Sequence, residues 1–173
     1  MMEMLRRCFL YGVLVLFSLP TLGLGNRGPK IELHHILTQH LNGVLKATND
    51  LHAACIRGDE RAIEMGINAI SRAIQDTRQV SVLAKDYNRQ HLLKILSTAS
   101  SGLEGAKLRL GDARKEHLVA VFAQMVNLAK IYQTDPYQIF FCPRDKTLWL
   151  QKEAKPQNPF AGDKNLNCGV AVK

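Results

Sequence analysis

The chain is poor in the signals that announce an enzyme or a cofactor carrier. It has no Cys-x-x-Cys-His run, which excludes covalent attachment of a c-type haem. Its helical part has no Gly-rich phosphate loop and no Gly-x-Ser-x-Gly elbow, so neither P-loop nor α/β-hydrolase chemistry is indicated. Only Glu32 and His35 fit a Glu-x-x-His pair, whereas a di-iron bundle needs two such pairs and further carboxylates. Between about residues 29 and 133 no apolar–polar alternation interrupts the pattern, which argues against a strand-rich fold. Beyond the first 25 residues no apolar run approaches the ~20 residues that cross a bilayer. No Cys follows Gly23 or Gly25, which argues against a lipid-anchored lipoprotein.

What is present begins with a leader. Arg6 and Arg7 precede an apolar stretch from about Phe9 to Leu19, then come Pro20 and the small residues Gly23 and Gly25. This is the pattern of a secretory signal peptide over residues 1–25, and it takes Cys8 with it. The competing reading, a membrane anchor, needs a longer apolar stretch. The expected domain is then residues 26–173, one unit with a real core, periplasmic or secreted and without a membrane span once the signal is removed. The formal charge is +8. Outside the cytoplasm that excess points away from nucleic acid and toward anionic envelope surfaces, an acidic protein partner, or solubility alone. Arg57, Arg61, Arg72, Arg78, Lys85, Arg89 and Lys94 are spread along helical faces and read as a solvated surface.

From about Pro29 to Gln133 apolar residues recur at steps of three and four. Leu33, Ile36, Leu37, Leu41, Val44, Leu45, Leu51 and Cys55 form one helical stripe. Gly58-Asp59 supplies a break and an N-cap. A second helix buries Ala62, Ile63, Ile70, Ala73 and Ile74, and a third uses Leu92, Leu93, Leu96, Ala99 and Leu103. Gly111-Asp112 reads as another break and cap before a fourth helix with Leu118, Val121, Phe122, Met125, Leu128, Ala129 and Tyr132. Asp135-Pro136 ends it. The expected fold is mainly α, an up-down four-helix bundle with a small irregular or β C-terminal cap over about residues 136–173. Within the cap, short strands are expected at 138–141, 148–150 and 169–172, with Trp149 and Phe160 buried against the open end of the bundle and Gly162 and Gly169 relaxing backbone angles.

Glu116-His117 with Phe122 five positions on, the helix to Tyr132, Phe141-Cys142-Pro143, Trp149-Leu150, Asn158-Pro159-Phe160, Gly162-Asp163-Lys164 and Cys168-Gly169 together carry a resemblance. The series resembles an uncharacterised domain of bacterial envelope proteins found alone or fused to the periplasmic adaptor subunits of heavy-metal efflux systems. It implies a role in transition-metal handling, copper above all, with an efflux adaptor or other envelope protein as partner. The family pattern places Met after Cys-Pro and after Gly-Asp-Lys, where this chain has Arg144 and Asn165. Thiolate and thioether together suit Cu(I), and both thioethers are missing here.

Two readings of Cys142 and Cys168 stay open. In an oxidising compartment the pair is a disulfide, and as a dithiol it is a copper or zinc ligand pair. His52 and His117 are the remaining candidate ligands, because an up-down bundle brings the end of helix one toward the start of helix four, with Cys55 one turn from His52. Against that stands the ordinary role of a helical His, hydrogen-bonded or facing solvent. The other class of function is a metal-free interaction module of the cell envelope, stapled by Cys142 and Cys168. Neither reading makes the chain an enzyme. Cys55, flanked by Ala53, Ala54 and Ile56, reads as a small apolar residue.

Overall fold

The computed structural model describes residues 29–84, 86–161 and 165–172. The expected signal peptide and the Gly162-Asp163-Lys164 part of the motif lie outside them. The four expected helices form: α1 (His35–Arg57), α2 (Glu60–Leu83), α3 (Arg89–Lys107) and α4 (Gly111–Ile131). The α1–α2 turn follows from its residues. Gly58 takes the left-handed conformation at φ 62°, and the Asp59 N–H reaches back to the Ala54 carbonyl, which closes α1. The Asp59 carboxylate then accepts the Ala62 N–H at 3.0 Å and caps α2.

The α3–α4 turn departs from expectation. Leu110 holds the N-cap position of α4, its side chain makes no cap bond, and Asp112 lies inside the first turn, where its charge favours the helix N-terminus. The buried Arg114 stabilises this turn instead. Its Nε donates to the Ala106 and Arg109 carbonyls, and its guanidinium pairs with Glu60 at the start of α2. One polar side chain thus ties both turns at that end of the bundle together.

Most of the expected stripes are buried, including every named residue of α4. Ile36 is exposed and Leu93 only half-buried, while Ile67 and Ile95 enter the core. Helices α1 and α2 pack as one antiparallel hairpin and α3 and α4 as another, but α1 and α4 touch each other little. The cap fills the seam between them. Strands β1 (Gln138–Cys142), β2 (Thr147–Gln151) and β3 (Val170–Ala171) form an antiparallel sheet in the order β2-β1-β3, with Phe140 opposite Trp149. Strand β2 packs on α4.

The cap therefore lies along the side of the bundle, and the expectation that it sits on an open end is corrected. Its attachments climb α1. Asn42 accepts the Asp135 N–H at 3.0 Å, Asn49 accepts the Lys152 N–H at 2.9 Å, and His52 donates to the Gln157 carbonyl at 2.7 Å. Ten residues of helix rise about 15 Å, so the cap follows α1 for nearly three turns. From the other side Phe160 meets Phe122 of α4 edge to face at 5.2 Å. A single apolar core runs through helices and cap alike.

Candidate functional site

The cap is a polar network built around one tryptophan, in which the buried Tyr137 and Thr147 hydroxyls lack hydrogen-bond partners among the described residues. Trp149 is fully buried and stacks on Phe140 with ring centroids 5.8 Å apart. Its indole N–H donates to Gln151, whose side-chain oxygen also accepts the Gln157 N–H and whose amide donates to the Glu153 and Lys155 carbonyls. Asn158, also fully buried, donates to Asp145 and accepts the Phe160 N–H, and its own N–H reaches the Leu166 carbonyl. Buried amides bonded on all sides fix loop geometry, because leaving any of them unpaired in a dry interior is costly. Gly169 is needed for space, since a Cβ there would come within 2.7 Å of Pro156 and 2.9 Å of the Trp149 ring. It does not have the positive φ that relaxed backbone angles would imply.

Cys142 and Cys168 are joined in a disulfide, with Cα atoms 5.3 Å apart. Arg144 donates a hydrogen bond to Asn165, so the two positions where the resemblance implies methionine are occupied by a polar pair bonded to each other. His52 is buried and turned into the cap. Burial lowers its pKa below the usual histidine value, outweighing the opposing effects of the Gln157 carbonyl and the Glu153 charge. His117 lies against α3, where its ring nitrogen would be only 2.4 Å from a Cβ on Gly105. Cys55 is partly buried, and desolvation, followed by the Glu60 charge, pushes its thiol up to about 12.

The four candidate ligands do not assemble. Two are consumed by their own bond, and the two histidines serve different neighbours. Among the described residues no three His, Cys, Asp or Glu side chains come together in a group able to hold a metal ion.

On α2 the structure collects what the sequence scatters. An open depression of about 1140 Å³ runs along this helix, lined on one side by α1 and on the other by α3. Arg57, Arg72, Arg78 and Lys107 border it, facing Asp50 and Glu104. Both acids already have lysine partners, Asp50 with Lys46 at 2.9 Å and Glu104 with Lys107 at 2.8 Å. Arg57, Arg72 and Arg78 form no ion pair among the described residues. Ala62, Ala69 and the exposed Met65 supply apolar lining over the buried Ala54 and Ile74. The six-residue step from Arg72 to Arg78 is visible in the sequence. The arrival of Arg57 and Lys107 from other helices is not.

No protein family, no curated protein and no solved structure matches this chain. Among the described residues no helix is long and apolar enough to cross a membrane.

Proposed function

We propose that this protein is a non-catalytic binding module of an oxidising compartment, which holds a disulfide-stapled cap on one side of a helical bundle and engages an envelope partner on the other. The observation that carries the reading is the basic-bordered depression along α2, an uncovered surface with apolar lining and three arginines lacking ion pairs. The Cys142–Cys168 disulfide supports a location outside the reducing cytoplasm, in line with the periplasmic or secreted expectation. The metal-handling role implied by the resemblance gains no support from the geometry, since its sulfur ligands are bonded to each other and His52 is hydrogen-bonded to the cap.

The test separates the two classes directly. Thermal melts of the oxidised protein are compared with and without one equivalent of Cu(I), Cu(II) or Zn(II). A ligand that binds only the folded state raises the melting temperature by mass action. A binding module shows no shift, and Cys142 and Cys168 stay out of a thiol count. A rise of several degrees, abolished in Cys142→Ala, Cys168→Ala or His117→Ala, would return the protein to metal handling.

A further inference from the structure

Resting on the binding-module reading, we infer that the depression along α2 receives an acidic amphipathic helix of a partner protein, laid lengthwise between α1 and α3. Three observations select this occupant. The first is length. The α2 lining runs from Ala62 to Arg78, about 24 Å at 1.5 Å per residue, and the walls from Asp50 to Arg57 and from Ser100 to Lys107 follow it for about 11 Å, two turns of an incoming helix.

The second is chemistry. Half-buried Ala62 and Ala69 and the exposed Met65 offer apolar surface for the apolar stripe of an incoming helix, while Ala54 and Ile74 beneath them belong to the core.

The third is charge. Arg57 and Arg72 are exposed, Arg78 is half-buried, and none has an ion-pair partner of its own among the described residues. Three guanidiniums along one apolar trough favour carboxylates on both shoulders of the ligand. The other occupants fit less well. A second copy would bring its own +8 charge against this border. Single-stranded nucleic acid needs aromatic rings to stack on, and no aromatic residue lines the depression. A membrane surface is an outcome of the test below.

The probe is a synthetic peptide of about 18 residues with Leu at i, i+3, i+4 and i+7 and Glu elsewhere, followed by fluorescence anisotropy and far-UV circular dichroism. The comparison ligands are the same Leu pattern with Lys in place of Glu, and phosphatidylglycerol vesicles. Two double variants carry the same charge change, Arg57→Glu/Arg72→Glu on the border and Lys94→Glu/Lys130→Glu away from it, each checked for an unchanged melt. The acidic peptide binds and gains helicity. Its affinity falls about tenfold or more in the border variant and by less than about twofold in the remote one. Equal losses in the two variants, or equal binding of the Lys peptide, would overturn the inference. Vesicle binding that depends on Arg57 and Arg72, without peptide binding, would overturn the helical occupant and leave a binding module. If no ligand binds and the border variant behaves like the parent, both readings fail together.

Discussion

Opening the Cys142–Cys168 bond measures how far the cap depends on its staple. The bond closes a loop of sequence separation 26. In the chain-entropy model such a loop removes about 12 cal/mol/K from the unfolded ensemble, about 3.5 kcal/mol at 25 °C. The unfolding entropy near the midpoint is about 2.1 cal/mol/K per residue, or about 300 cal/mol/K for roughly 145 residues. Dividing the two, Cys142→Ala/Cys168→Ala lowers the melting temperature by about 11 °C. The chain carries its own reporter, because Trp149 is the only tryptophan, is fully buried and sits in the cap, while far-UV circular dichroism follows the helices. If cap and bundle are one cooperative unit, as their shared core implies, the two signals shift together. A shift below about 3 °C in both would refute the entropic role of the staple. Loss of the Trp149 signal well before the helical signal would refute the single unit.

Three further outcomes are expected. His52 titrates at a depressed pKa when folded, so between about pH 6.5 and that lower value the unfolded chain binds the extra proton. Its contribution is therefore complete above pH 6.5 and is lost as the pH falls through this window, and urea titrations across pH 7 to 4 show an acid limb that His52→Gln flattens. Cys55, with its thiol pushed up to about 12, reacts with iodoacetamide at least about tenfold more slowly in the native protein at neutral pH than in urea, the smaller thiolate fraction outweighing its greater nucleophilicity; equal rates would contradict the burial. Gly105→Ala drives a methyl into the His117 ring and costs about 1–3 kcal/mol in urea unfolding. In the double variant with His117→Ala the costs are less than additive, and strict additivity would show that the ring moves aside freely.

The helices were legible because each buries a stripe at the helical period, and the α1–α2 turn was legible because Gly58 and Asp59 are the residues such a turn demands. The Asp112 cap was misread for a local reason: the same carboxylate serves a helix start either as a cap or as a first-turn charge, and here the chain places Leu110 at the boundary. The position of the cap was invisible because its hooks on α1 are Asn42, Asn49 and His52, polar residues that a sequence presents as ordinary solvent-facing positions. His52 was singled out for its imidazole, but the structure uses it as a donor to a backbone carbonyl. The depression on α2 was missed for the opposite reason. Its border comes from three helices, and no spacing within one helix announces that Arg57 and Lys107 will face the same trough.

The contrast between α4 and α2 explains why one side of the bundle is closed and the other open. Helix α4 is apolar around more than one face. Leu118, Val121, Phe122 and Met125 are buried, and so are Val126, Leu128 and Ala129. A helix apolar over so wide an arc needs a second cover besides its bundle neighbours. The cap is that cover, with β2 packed on α4 and Phe160 against Phe122. Helix α2 buries the narrower stripe Ile63, Ile67, Ile70, Ile74 and Thr77, which the bundle satisfies alone. Its outer face carries Arg72, Gln75 and the 63% exposed Met65, and it needs nothing further from its own chain. The side left free for another molecule is therefore the α2 side. Under the binding-module proposal the residues that close the α4 side act on partner binding only through the stability of the fold, so cap variants that leave the melt unchanged are expected to leave peptide affinity unchanged as well.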